Sequence, residues 1–267
     1  LRNKIHVSVD FDWIPGSERS VARLFELFAL HDLHPTLFFT GSFAAANPGI
    51  VLEAADLDYE IGTHGLHHGL DLEENFGFET PYKKQKELLV KATEILGDIT
   101  GSAPRVFRAP LLKISEATFD VLAELGYQAD SSIPARRYDF GAGSVNALRY
   151  FCKPCHAHFN ETKDGRLLEI PPSAWILPLN MRLLRIFPQL FVRVFFKLLA
   201  QTCKPLVFYL HPAEFVDPRN LSLPQGFPKG FYRDCGEHHF ASLERFLELI
   251  KCHELRSVYM LKDISLG

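Results

Sequence analysis

The sequence predicts a single-domain α/β fold, with a barrel of parallel strands preferred to an open sheet. Three observations lead there: short apolar runs alternate with stretches of helical period, several of those runs end in a polar group able to do chemistry, and no linker or repeat divides the chain. At 267 residues and 47% hydrophobic, the chain buries a substantial core, so residues 1–267 are read as one catalytic unit. Strands are predicted at Ile5–Val9, Thr36–Phe39, Tyr59–Gly62, Val106–Phe107, Tyr127–Ala129, Leu167–Ile170, Leu206–Leu210 and Val258–Leu261. Helices are predicted at 18–33, 49–57, 80–98, 115–125, 182–201 and 239–253. Ser115 with Thr118, and Thr80 before Pro81, mark helix starts, while Gly101 and Gly126 mark ends. The least regular stretch, Ile133 to Asp164, reads as a long excursion.

Charge narrows the class. With 29 Lys+Arg against 32 Asp+Glu, the net charge of −3 gives no field suited to a nucleic-acid partner. Five cysteines, an odd number, and no signal-like N-terminal segment point to a reducing, cytoplasmic compartment. Arg and Lys interrupt the apolar stretch near 176–200, so no run reaches the length of a membrane span.

In a parallel barrel, strand ends open onto one face. Asp10 and Asp12 follow the first strand, His64 the third, Arg108 the fourth, Asp130 the fifth and His211 the seventh. Alternation in Asp10-Phe11-Asp12 aims both carboxylates to one side of an extended strand. Such a pair serves a hydrolase, where one acid binds metal and the other takes a proton. It serves equally a glycosyltransferase holding a cation through phosphates, or a plain solvated loop. His64 and His68, four apart, share a face if the segment turns helically, as two ligands of one metal require, with His67 off that face. An exposed His-rich turn is the bland alternative. One Asp and two His suit zinc, and also iron, cobalt, nickel or manganese. Alone, Arg108 reads as a salt bridge and His211 as a satisfied core histidine. Cys152-Lys153-Pro154-Cys155, with His156 and His158, has the look of half a zinc site, but without a second ligand pair it reads as ordinary thiols in a loop.

Taken in order, these motifs resemble the polysaccharide deacetylases with the NodB-homology domain, carbohydrate esterase family 4. Ser8-Val9-Asp10-Phe11-Asp12 resembles the first motif in its divergent Asp-x-Asp form, and Thr63-His64-Gly65-Leu66-His67-His68 the second. Arg108-Ala109-Pro110-Leu111 resembles the third, Asp130-Ser131-Ser132 the fourth and Tyr209-Leu210-His211 the fifth. The resemblance implies a distorted (β/α)7-type barrel with one divalent metal, zinc foremost, on Asp12, His64 and His68. It implies Asp10 as base, Arg108 holding Asp10 ionised, and the Leu111 backbone N–H stabilising an oxyanion. His211 is implied as acid with Asp130 keeping it cationic, and Pro110, Tyr209 and Leu210 as substrate walls. Leu111 and Tyr209 depart from the residues usual at those places. Glu214 is read as lining the cleft or capping the next segment, without a catalytic role.

The implied function is removal of an N-acyl group, N-acetyl foremost, from an amino sugar of a polysaccharide or glycan. The alternatives are a deformylase of a lipid-linked amino sugar, a small cyclic-imide hydrolase, a metal-dependent glycosyltransferase and an inactive carbohydrate-binding barrel. No Gly-rich phosphate loop follows the first strand, which counts against the transferase. The expected partner is an amino-sugar glycan or lipid-linked sugar. Residues 182–199 also suggest either a peripheral membrane contact or a packing partner such as a second subunit. Arg182, Arg185, Arg193 and Lys197, with Gln189, form a cationic stripe on an otherwise apolar helix, in a stretch without acidic residues from Glu169 to Glu214. Pro188 is expected to kink or divide that helix.

Overall fold

The structure is a computed structural model that describes residues 4–12, 14, 16–68, 80–138, 148–222 and 235–264. Its strands are β1 (Lys4–Phe11), β2 (Thr36–Phe39), β3 (Glu60–Thr63), β4 (Val106–Phe107), β5 (Ala129–Asp130), β6 (His158–Thr162), β7 (Gly165–Glu169), β8 (Ala174–Trp175), β9 (Leu177–Pro178), β10 (Leu206–Leu210) and β11 (Arg256–Ser257). The main sheet runs β10-β1-β2-β3-β4-β5-β7-β6, and every neighbouring pair is parallel except the β6–β7 hairpin. Along this path seven described strands run parallel, and β11 pairs in parallel with the start of β1. Among the described residues, no strand closes the gap between β7 and β10. Ser173 bridges it instead, its N–H donating to Val207 O (3.2 Å) and its Oγ accepting from Val207 N (2.8 Å). This irregular closure is the distortion in the barrel.

Helices α1 (Val21–Leu30), α2 (Gly41–Ala46), α3 (Pro48–Asp56), α4 (Tyr82–Thr100), α5 (Glu116–Glu124), α6 (Met181–Ile186), α7 (Gln189–Thr202), α8 (Phe240–Cys252) and α9 (Met260–Asp263) connect the strands. β1 shows why the layers separate. Its odd residues Ile5, Val7, Val9 and Phe11 join the apolar layer shared with α1, α7 and α8, while its even residues His6, Ser8 and Asp10 are buried on the other face. Alternation therefore gives the first strand an apolar outer face and a polar inner one. Phe38, Val106, Ala129, Leu168 and Val207 pack together as a separate inner cluster.

Several expectations are corrected. Val258–Leu261 is not a strand: pairing stops at Ser257, and Met260 begins α9, whose first amides, Met260 N and Leu261 N, donate to the Glu60 carboxylate at 2.9 and 3.0 Å. A carboxylate from another strand satisfies the unpaired N–H groups of a helix start, a long-range contact that overrides local β-propensity. The predicted helix 182–201 divides at Phe187–Pro188, Phe187 being extended (ψ 147) as residues before proline prefer. Thr40 starts α2, an unforeseen helix, by accepting from Phe43 N. The excursion at Ile133–Asp164 contains β6; its residues 139–147 lie outside the described ones. Ser115 and Thr118 do form a capping box, and Gly101 and Gly126 follow α4 and α5 with φ of 77 and 79.

Candidate metal and acid–base site

Four strand ends meet around Asp12. His64 leaves β3 with its N–H donating to Phe39 O, and its Nδ1 lies 2.7 Å from Arg108 O. A carbonyl only accepts, so Nδ1 carries the hydrogen and Nε2 presents its lone pair to the cleft. His64 Nε2 and His68 Nε2 stand 3.4 and 3.5 Å from Asp12 Oδ1, and one ligand atom from each of the three residues falls within 4.8 Å of the others. The expected helical turn between the two histidines is absent. The segment is an irregular turn in which Gly65 (φ 77) and His68 (φ 49) are left-handed, bringing the rings to 5.0 Å between centroids. Gly65 takes that conformation without steric cost. His67 turns away onto Ser42 Oγ.

These residues fit a cation on an observation independent of resemblance. Asp12 Oδ1 is buried and accepts no hydrogen bond, although it faces two imidazole nitrogens. A buried carboxylate oxygen left unsatisfied is costly, and coordination relieves it. Burial works to raise the Asp12 carboxyl, but the His68, His64 and His211 rings outweigh it and hold it below the ordinary carboxylate range. Burial lowers His68, favouring the neutral ring a metal needs.

Asp10, on the inner face of β1, is 2% exposed and accepts from Arg108 Nη1 at 2.7 Å. Arg108 is wholly buried and bonded at all three guanidinium nitrogens: Nη1 also donates to Ser8 Oγ (2.7 Å), Nε to Ser131 O (3.1 Å) and Nη2 to Ser131 Oγ (2.8 Å). Its guanidinium lies over the rings of Phe38 (4.4 Å) and Tyr209 (5.5 Å). Such a cation is held by shape as well as charge.

His211 ends β10 with its Nε2 3.9 Å from Asp10 Oδ2 and from Asp12 Oδ2. Its other nitrogen, Nδ1, faces Glu214 Oε2 at 3.4 Å, and its backbone N–H donates to the same oxygen at 2.9 Å. Burial works against a charged ring, but Glu214, Asp12 and Asp10 outweigh it and push His211 up to about 9. The expected partner, Asp130, is not at His211. It lies fully buried on β5, accepting from Ser132 Oγ and opposed to Glu169. Glu214 was missed as a partner of His211, although its position three residues on matches a capping-box spacing. Arg185, expected in the exposed cationic stripe, instead reaches in to Glu214 Oε1 (3.2 Å) and Cys235 Sγ (3.0 Å), its side chain 3% exposed.

Residues 110–112 form a tight turn in which Leu111 and Leu112 have φ of 58 and 55. Non-glycine residues in that region store strain, a feature concentrated at functional sites. The turn's hydrogen bonds run from Leu112 N to Ala109 O and from Lys113 N to Pro110 O, and the Leu111 N–H is not among them. Pro110 is buried. Tyr209 is buried on the inner face, its hydroxyl accepting from Asn180 Nδ2 at 3.0 Å and its ring edge-on to His211. Leu210, expected as a substrate wall, is corrected: it is 0% exposed in the outer apolar layer, because alternation turns it away from Tyr209 and His211. Cys152 is exposed, whereas Cys155 is buried with its thiol on Thr202 O at 3.1 Å.

A family model for polysaccharide deacetylase matches residues 2–129, the part that carries Asp10, Asp12, His64, His68 and Arg108. A peptidoglycan deacetylase of Helicobacter pylori is 29% identical over 122 residues, 44% of this chain and 38% of that protein. The chain spans less than two fifths of the length of the curated relatives it matches, 38% and 39%. A probable polysaccharide deacetylase from Pseudomonas aeruginosa PAO1 superposes with a TM-score of 0.64 at 18% identity, covering 97% of this chain and 89% of that one. A carbohydrate esterase family 4 pseudoenzyme from Bacillus anthracis superposes at 0.58 and 10% identity, covering 96% of this chain and 63% of that one. The structural likenesses show the fold and, with a pseudoenzyme among them, no more than the fold. Over residues 2–129 the chain is similar to polysaccharide deacetylases in sequence, and its curled barrel is the fold seen in solved structures of such proteins.

Proposed function

We propose that the chain hydrolyses the N-acetyl group of an amino sugar in peptidoglycan or a related glycan. The observation that carries this reading is the unsatisfied, buried Asp12 Oδ1 between two imidazoles, flanked by a carboxylate held by arginine and a histidine held by glutamate. The names of the curated relatives supply the sugar class. Asp12, His64 and His68 would hold one divalent metal, zinc by its preference for mixed imidazole and carboxylate sets, which when bound polarises the amide carbonyl and acidifies water.

The chain's own groups divide the proton work. Arg108 occupies Asp10 Oδ1, leaving Oδ2 to take a proton from the attacking water. His211 Nε2 delivers a proton to the departing amine, with Glu214 orienting the ring from Nδ1 and favouring its cationic form. The Leu111 N–H, in the strained turn and outside its hydrogen bonds, would steady the carbonyl oxygen as charge develops. Pro110 and Tyr209 shape the walls behind these groups.

The outer surface of α6 and α7 bears on how substrate is presented. Ile186, Leu190 and Val194 are 58%, 74% and 63% exposed, and Arg193 and Lys197 are exposed beside them. That combination suits anionic lipid headgroups, and α6 is tied to the catalytic cleft through Arg185 and Glu214.

The test is elemental analysis of purified protein combined with mass-spectrometric assay of N-acetylglucosamine oligomers, N-formyl amino sugars and cyclic imides. One bound metal per chain with acetate release is expected. Metal-loaded protein that turns over only the N-formyl or cyclic substrates would overturn the deacetylase reading.

A further inference from the structure

The proposed catalysis leaves two fully buried carboxyl groups without a part in it. Asp130 on β5 and Glu169 on β7 are directly opposed across a parallel strand pair, and both are 0% exposed. Two ionised carboxylates do not persist side by side in a low-dielectric interior; one of them keeps a proton. The hydrogen bonds show where it sits. Glu169 Oε1 accepts from Ile133 N at 3.0 Å, and Asp130 Oδ1 accepts from Ser132 Oγ at 2.5 Å. The remaining oxygens, Glu169 Oε2 and Asp130 Oδ2, are buried and take no hydrogen bond from any other group. Ser132 Oγ, having given its hydrogen to Asp130, accepts from Ala109 N at 2.8 Å. A directed chain thus runs from Ala109 through Ser132 to Asp130, with Glu169 opposite Asp130 on β7. Ala109 lies between Arg108, which holds Asp10, and the strained turn at Leu111.

We infer that Asp130 and Glu169 hold one proton and one negative charge between them and act as a positioning pair, fastening the Arg108–Leu112 loop through Ser132. The catalytic consequence rests on the deacetylase reading; the shared proton does not. Burial, then the Asp130 charge, raises Glu169 well above ordinary glutamate, and burial pushes Asp130 up to about 6. Above the usual glutamate range, the folded chain therefore keeps a proton that the unfolded chain has released. Stability from this source is present at low pH and declines as pH rises through that window.

Glu169→Gln and Ser132→Ala separate the two halves of the inference. The Gln amide can donate to Asp130 Oδ2 and accept from Ile133 N, so it mimics the protonated glutamate and cannot ionise. Its melting temperature relative to wild type is expected to climb between about pH 5 and 9, with kcat held within about threefold. Ser132→Ala removes the hydroxyl that links Asp130 Oδ1 to Ala109 N and leaves both carboxyl groups in place. Its kcat is expected to fall about tenfold, with KM and metal content unchanged and the Glu169-dependent pH trend intact. A pH-independent difference between Glu169→Gln and wild type would overturn the shared proton. Wild-type kcat in Ser132→Ala would overturn the fastening role. Wild-type protein without turnover of N-acetyl substrates, but with the pH trend in place, would remove the deacetylase reading and leave the shared proton supported.

Discussion

Glu214 is the residue on which removal of a single carboxylate should tell most. Its pair with Arg185 is 3.2 Å long, and the two side chains are 3% and 7% exposed. At an effective dielectric constant of about 20, two unit charges at that distance attract by about 5 kcal/mol. Desolvating each ion costs several kcal/mol, so the intact pair contributes little net stability. Breaking it is different. Glu214→Ala takes the carboxylate partner from a buried Arg185, at a cost of about 3–5 kcal/mol, or roughly 6–20 °C in melting temperature for a chain of this size. Arg185→Met should cost less, because Glu214 keeps the His211 N–H and ring as partners. Glu214→Gln preserves volume and an acceptor but removes the charge that favours a protonated His211. Its kcat should fall roughly ten- to a hundredfold, with KM and bound metal unchanged, as partial loss of a general acid implies. Thermal melts and steady-state kinetics on an N-acetylglucosamine oligomer measure both effects. Wild-type kcat in Glu214→Gln, or a larger stability loss in Arg185→Met than in Glu214→Ala, would refute the assignment of Glu214 to His211.

Three further outcomes follow from the same geometry. Asp10→Asn should keep its metal, measured by elemental analysis, and lose on the order of 10²–10⁴ in kcat, because an amide cannot take the proton of the attacking water. Gly62→Ala should lose about 1–3 kcal/mol in a denaturant melt; a Cβ there would stand 2.6 Å from Phe38 Cδ1 and 2.7 Å from Val106 Cγ2, pressing the ring that lies against Arg108. Flotation with anionic vesicles at low salt should carry the protein upward, and Leu190→Glu with Val194→Glu should abolish it without slowing turnover of a soluble substrate; equal flotation of both proteins would remove the lipid contact.

What was legible in the sequence was whatever depends on short-range pattern. Alternation in Lys4–Phe11 announces a strand with one polar face, and the position of Asp10, Asp12, His64, Arg108 and His211 at strand ends already points them to a common cleft. The break at Pro188 was equally local, since proline constrains the residue before it wherever it occurs. A parallel sheet follows from the strand–helix alternation, although the irregular closure through Ser173 does not.

Partnership among buried charges was decided only by the tertiary structure. Asp130 and Glu214 are both acids near motif residues; the capping-box spacing of Glu214 after His211 is a local hint, but only the register that sets Asp130 against Glu169 takes Asp130 away from that role. Arg185 looks like one cation in an exposed stripe, yet it turns inward because Glu214, 29 residues away, offers it a buried carboxylate. Glu60 likewise starts a helix 200 residues downstream in a segment with the local pattern of a strand. The sequence by itself determined the periodicity of the elements and the types of group at the cleft, because both are properties of neighbours along the chain. The structure alone decided which charge neutralises which, because a buried charge is stable only beside the partner that the completed fold delivers to it.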